Sequence, residues 1–266
     1  MDHRAEISAR YDGLAESYDR SGPPFYSVAG ELLVQQLELT PGGRILDAGC
    51  GRGACLFPAA AAVGPTGQAV GVDISPGMVR KTAADAARLG LAQVKVAVGD
   101  AEAPDFADAS FDAITSGFVL RQLPDPEAGL DAYRRLLRPG GRLGISQFVS
   151  GFPPDWRSVD VALERFAPAA QRSDRVDPPG LARAAGFVDV TTEELTVDVT
   201  LEGPAEWWDY LWWSVHRGRV AAIPEARRGE ARAAALAAVQ GLRAGDGRLV
   251  MPIRVRCTTA TRPPAP

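Results

Sequence analysis

ILDAGCGRGAC, residues 45–55, is the stretch that decides the fold: the apolar pair Ile45 and Leu46 runs into Asp47, and glycines follow at Gly49, Gly51 and Gly53. Glycine has no Cβ, so a turn with one at every second position can take positive φ and let a ligand lie against its backbone. The run therefore reads as a buried strand, a tight ligand-holding turn and the start of a helix.

Downstream of it, strand-like and helix-like segments alternate. Strand 44–48 leads to helix 54–63, strand 68–73 to helix 76–89 with Pro76 in its first turn, and strands 93–99 and 111–118 follow. Helix 126–138 stops at Pro139, Gly140 and Gly141, and strand 142–148 comes next. Such alternation predicts a parallel sheet with helices on both faces. Upstream, Ile7, Tyr11, Leu14 and Tyr18 form one stripe of a helix over 4–18, and a second amphipathic helix covers 28–39. After 149 the pattern predicts helices 159–166 and 178–185, an alternating strand 188–201, helices 206–223 and 225–242 separated by Pro224, and a last strand 248–258.

Composition narrows the function classes. With 266 residues, 46% hydrophobic and 23% charged, the chain reads as an ordinary folded domain. A formal net charge of −4 supplies no general attraction for a polyanion, so nucleic acid is not an expected partner. No run is apolar for the ~18 residues a membrane span needs, and no signal-like stretch opens the chain; the expectation is a cytoplasmic protein without a membrane partner. Cys50, Cys55 and Cys257 make no CxxC pair, and His3 and His216 are the only histidines, so no metal cluster is expected. His3 carries no expected role, and Cys50 reads as a small buried filler.

Three ligand classes compete for the glycine turn. A triphosphate loop needs Lys followed by Ser or Thr where this chain has Ala54 and Cys55. A dinucleotide fingerprint is G-x-G-x-x-G, whereas the spacing here is G-x-G-x-G, and Asp47 would repel a phosphate. The same carboxylate suits a cation with a free amino group. Asp73, ending the second strand in VGVDIS, can accept hydrogen bonds from both hydroxyls of a ribose, and Asp100, ending the third in VGDAE, falls within reach of an adenine amine. Together the three carboxylates favour S-adenosylmethionine.

From Arg44 to Phe148 the order ILDAGCGRG, VGVDISPGMV, VGDAE, FDAITSGFVLRQLPD, RLLRPGGRLGI resembles the class I S-adenosylmethionine-dependent methyltransferases, in particular the small-molecule branch similar to quinone-biosynthesis methyltransferases. The resemblance implies an α/β fold with a Rossmann-like, seven-stranded, mostly parallel sheet whose last hairpin is reversed. The expected division is an N-terminal helical cap over 1–43, a cofactor-binding core over 44–202, a helical lid insertion over 203–247 and the last strand and tail over 248–266. It also implies roles by position: Asp47, Ala48, Gly49 and Gly51 around the methionine moiety, Asp73 on the ribose, Ile74 and Met78 against adenine, and Asp100 and Ala101 at the adenine edge. Ser116 and Phe118 would line the site beside the sulfonium. RYDGLAESYD looks like a segment that such enzymes fold over the cofactor, which makes Tyr11 and Tyr18 lid contacts or, equally, helix-face tyrosines packed on the sheet. S-adenosylhomocysteine would be the product.

The acceptor is written less clearly. Where many such methyltransferases have a histidine after the fourth strand, this chain reads Val119, Leu120, Arg121, Gln122, Leu123. Arg121 either steadies an anionic acceptor or makes an ordinary ion pair. Trp208, Trp212 and His216 recur at i, i+4 and i+8, on one helix face, and would line a flat apolar pocket with His216 as general base; a packed lid core or dimer contact explains the same stripe. The expected activity is methyl transfer to a small hydrophobic or aromatic metabolite, O-methylation first with C- or N-methylation close behind, by a monomer or homodimer. A same-fold enzyme catalysing a cyclisation and a non-catalytic cofactor-binding subunit are the rival readings.

Overall fold

Strand β1 (Arg44–Ala48) lies in the interior of a seven-stranded sheet of order β3-β2-β1-β4-β5-β7-β6. In the computed structural model, which describes residues 3–20, 22–149, 156–167, 176–213 and 217–264, the first half of the chain runs as expected. Helices α1 (His3–Asp12) and α2 (Phe25–Gln35) precede β1; α3 (Leu56–Val63), β2 (Gln68–Asp73), α4 (Pro76–Arg88), β3 (Val94–Val98), β4 (Phe111–Gly117), α5 (Pro126–Leu136) and β5 (Leu137–Phe148) follow it. Then come α6 (Arg157–Glu164), α7 (Pro178–Ala184), β6 (Val188–Leu201), α8 (Pro204–Trp213), α9 (Arg217–Ala221), α10 (Glu225–Val239) and β7 (Leu249–Thr261). Strands β1 to β5 pair in parallel, and β7 inserts antiparallel between β5 and β6.

Alternation along the strands sorts two cores. Ile45 and Ala113 face α2 and α3, in one apolar cluster with the helices between β6 and β7, while Leu46, Ile114, Leu143 and Ile145 face α5 and α7. β1 is buried on both faces, which is why Ile45 and Leu46, on opposite sides, are both apolar and why its one buried charge, Asp47, stands out. The first cluster carries the site. There α2 comes so near the turn after β1 that a Cβ on Gly30 would lie 2.3 Å from the Ala54 carbonyl oxygen.

Predicted boundaries shift by a few residues at most elements, α2 spanning Phe25–Gln35 against the expected 28–39, for example. Helix α1 ends at Asp12 instead of running to 18, because the Asp12 carboxylate leaves its own helix to accept hydrogen bonds from Ser75 and Gly77 at the start of α4. β5 already starts at Leu137, so Pro139, Gly140 and Gly141 lie inside the strand, where its register with β4 shifts between Phe111 and Ala113. A short 3₁₀ turn, Leu120–Gln122, follows β4. The described parts of the predicted helix 206–223 are α8 and α9; His216 lies outside the described residues.

Candidate active site

The cavity opens at the carboxyl ends of β1, β2, β3 and β4, where the strand order reverses, the usual ligand position in an open α/β sheet. Of the residues singled out for a cofactor, Tyr11, Tyr18, Asp47, Gly49, Gly51, Asp73, Ile74, Met78, Asp100, Ala101 and Phe118 line it. Two do not. Ala48 points into the α5 and α7 core, and Ser116, wholly buried, faces the Tyr133 hydroxyl on that same side; its neighbour Gly117 borders the cavity. One residue along a strand changes the face, and this is what displaces both.

The turn is built for close approach. Gly49, Gly51 and Gly53 have φ of +80°, +48° and +86°. A Cβ at Gly49 would lie 2.4 Å from Val119 and one at Gly53 2.5 Å from Phe57, whereas one at Gly51 would meet nothing within 4 Å. Gly51 thus presents bare backbone to open space. Asp73 fixes it there, accepting the Gly51 N–H at 2.8 Å on one oxygen and the Ser75 N–H at 2.9 Å on the other.

Asp47 is 2% exposed and accepts a hydrogen bond from the Thr115 hydroxyl at 2.8 Å. Burial pushes its carboxyl up to about 7, the Thr115 bond pulls the other way, and the Asp73 charge adds to the rise. No salt bridge to Asp47 exists among the described residues. A buried carboxyl beside open space, short of positive charge, offers acceptors to an ammonium-bearing ligand.

The segment before β1 closes the cavity by contacts that sequence patterning did not reveal. Arg4 pairs with Asp100 at 2.7 Å and with Glu102, the Ser8 hydroxyl donates to the Ile74 carbonyl at 3.0 Å, and a ring nitrogen of His3 stands 3.1 Å from the Gln122 carbonyl. His3, assigned no role above, therefore lines the cavity rim. Buried Arg52 in the glycine turn reaches the Ala15 and Glu16 carbonyls and pairs with Asp85 at 2.6 Å. Asp19, at φ +52°, accepts from the N–H groups of Tyr26 and Ser27 and from the Ser27 hydroxyl, capping the first turn of α2. An Asp ahead of an apolar helix was the one signal available for this; Arg4 carried none.

The expected acceptor residues are dispersed. Arg121 sits half-buried on the 3₁₀ turn and does not line the cavity, although Gln122 beside it does. Trp208, 6% exposed, packs in the cluster with Trp207 and Leu211, and Trp212 lies against that cluster with the Arg228 guanidinium 5.5 Å from its ring centre. Neither tryptophan reaches the cavity wall, because α8 turns this stripe onto β6 and α10. What faces the cavity instead is an aromatic row. Tyr11 meets Tyr18 at 5.8 Å between ring centres, Tyr18 stacks on Tyr26 at 4.8 Å, and Tyr26 meets Phe118 edge-on at 5.2 Å; Phe148, which does not line the cavity, backs Phe118 at 4.6 Å. Phe118 holds φ +61°, a rare conformation for a bulky residue and one that gathers at functional sites.

Comparison with known proteins agrees with this geometry. Residues 39–185 match a family model described as a methyltransferase domain. The chain is 39% identical over 217 residues to nocamycin O-methyltransferase of Saccharothrix syringae, covering 73% of this chain and 76% of that one. It is 39% identical over 147 residues to aklanonic acid methyltransferase DauC of Streptomyces sp. strain C5, covering 55% and 67%. In fold it is similar to the YcgJ protein of Bacillus subtilis, with a TM-score of 0.60 and 16% identity over 90% of this chain and 99% of that one.

Proposed function

The chain belongs to the S-adenosylmethionine-dependent methyltransferases, and on that premise we propose that it methylates an oxygen atom of a small hydrophobic or aromatic metabolite in secondary-metabolite or quinone-like biosynthesis. When bound, S-adenosylmethionine supplies an electrophilic methyl group. The observation that carries the reading is the buried, cation-free Asp47 beside the open face of Gly51. In this reading Asp47 holds the ammonium of the methionine moiety, Asp73 the ribose, and Asp100 the adenine edge, with Ile74 and Met78 against the base and Tyr11 and Tyr18 over it.

The oxygen preference is supported by the two relatives above, one named an O-methyltransferase and the other a methyltransferase of an acid. The aromatic wall favours an apolar acceptor, and an oxygen that is already ionised needs no base. Orientation and exclusion of water are then the chief contributions of the chain's own residues. A net charge of −4 supports a partner list without nucleic acid, and free buried cysteines support a reducing, cytoplasmic setting; no helix among the described residues is long and apolar enough to cross a membrane.

Incubation with S-adenosylmethionine carrying a trideuterated methyl group, in a small-molecule extract of the producing cells, tests this. The expected result is a labelled product whose fragmentation places the methyl on oxygen. Failure of S-adenosylhomocysteine to bind in calorimetry, or label on carbon or nitrogen, would overturn it.

A further inference from the structure

Tyr26 is the second residue of α2, and its ring touches four others: Tyr18 at 4.8 Å, Phe25 at 5.1 Å, Phe118 at 5.2 Å and Phe148 at 6.2 Å. It lines the cavity together with Phe118 and Gly117. Its place is over-determined. The backbone N–H is held by Asp19 at 2.9 Å, and Gly30 lets the next turn of α2 sit directly on the Ala54 backbone, so the ring cannot drift from the wall. Phe118 is held as firmly, its N–H bonded to the Ser146 carbonyl at 2.9 Å while its φ stays positive.

Burial raises the Tyr26 and Tyr210 hydroxyls above the ordinary phenol value, and the Asp19 charge raises both further, so both stay protonated and act as donors. Tyr210 comes from α8 and packs in the same apolar cluster as Phe25, against which Tyr26, Phe118 and Phe148 also lie. The groups facing Tyr26 are thus Asp19 on its own segment, Tyr11 and Tyr18 from the closing segment, and Tyr210 from the insertion. The Asp19 carboxylate already accepts from three donors, two N–H groups and a hydroxyl, and the Tyr26 hydroxyl faces that of Tyr18, a partner a guest oxygen would replace.

We propose that Tyr26 and Phe118 form the acceptor platform, taking a planar aromatic ring against their cavity-facing sides and donating the Tyr26 hydroxyl to an oxygen on that ring. This rests on the methyltransferase reading above and goes beyond it by choosing aromatic over aliphatic acceptors and by naming the residue that selects them. Rings prefer edge-on or offset partners at 4.5–7 Å, and with Tyr26 and Phe118 fixed edge-on at 5.2 Å a flat guest joins the array as a further member without moving either. Tyr26 is a specificity-determining residue in this scheme.

The test uses the full chain saturated with S-adenosylhomocysteine and four probes: 1-naphthol, 1-naphthoate, naphthalene and cyclohexanecarboxylate, with affinities from calorimetry or fluorescence. The aromatic probes are expected to bind and cyclohexanecarboxylate to bind at least tenfold more weakly than 1-naphthoate. Tyr26→Phe should weaken 1-naphthol or 1-naphthoate about tenfold, the loss expected for one hydrogen bond, with naphthalene binding unchanged. Tyr26→Leu should weaken all three aromatics. Equal binding of the cyclic aliphatic acid, or oxygenated probes indifferent to Tyr26→Phe, would overturn the proposal. If S-adenosylhomocysteine binds and no aromatic probe does, the platform alone falls; if the nucleoside itself fails to bind, the underlying reading falls with it.

Discussion

Asp73 accepts the backbone N–H of Gly51 at 2.8 Å. A carboxylate at the end of β2 therefore fixes the middle glycine of the turn after β1, in addition to any bond it makes to a ligand. Burial raises its carboxyl above the ordinary range, and the Ser75 and Gly51 N–H bonds work against that rise. Asp73→Asn must turn an amide N–H toward one of those two N–H groups. The expected outcome is a loss of S-adenosylhomocysteine affinity of at least tenfold, since each charge-assisted bond is worth about 1.5–3 kcal/mol, together with a lower melting temperature. Wild-type melting with lost affinity would leave only the ligand role standing.

Asp47 makes the site pH-dependent. Its carboxyl is pushed up to about 7 by burial, so in the ligand-free chain the protonated form is favoured below that value. The folded state then holds a proton that the unfolded chain has lost, and stability from this group falls as pH rises from about 4 through about 7. A ligand ammonium reverses the preference. Near pH 7, S-adenosylhomocysteine binding should release about half a proton, read as a buffer-dependent heat in phosphate and Tris. Asp47→Asn should remove both the proton release and the loss of stability, while binding the ligand more weakly.

Gly30 and Gly51 separate structure from binding. A Cβ at Gly30 would sit 2.3 Å from the Ala54 carbonyl oxygen, so Gly30→Ala should cost about 1–3 kcal/mol or more of stability by overpacking. At Gly51 the space is open, and Gly51→Ala should cost only about 1–2 kcal/mol for its positive φ. Its larger effect is expected in S-adenosylhomocysteine affinity. Chemical denaturation and calorimetry on the two variants should rank them in opposite order.

Phe118 stores backbone strain. At φ +61° any residue with a Cβ is disfavoured, and Gly is not. Phe118→Gly should therefore be more stable than Phe118→Ala by about 1 kcal/mol, reversing the usual order within a strand or helix. Equal denaturation midpoints would show that the strain is relieved elsewhere.

Much of the fold was legible because the evidence for it is local. Apolar runs, Pro76 at a helix start and glycines at Gly49, Gly51 and Gly53 each reflect backbone geometry that neighbours in sequence dictate, and the alternation of elements restricts the topology to a wrapped parallel sheet. Asp47, Asp73 and Asp100 were legible for the same reason: the end of a strand is a sequence position and, in a parallel sheet, also a place. Ser116 shows the limit, since one residue along β4 turned the expected contact to the opposite face and brought Gly117 to the cavity.

The sequence by itself determined the sheet, the glycine turn and the three carboxylates, and with them the methyl donor. Only the tertiary structure decided what closes the cavity and what walls it. Arg4 meets Asp100, Asp12 leaves α1 to bond Ser75 and Gly77 at the start of α4, and Tyr26 meets Phe118 across more than 90 positions of chain. Such pairs have no period and no motif, because they arise where separate elements happen to pack. The tryptophan stripe of α8 had the right period for a wall, but a period fixes only which residues share a face. Packing against β6 and α10 decided where that face points, and it placed Trp208 in the core.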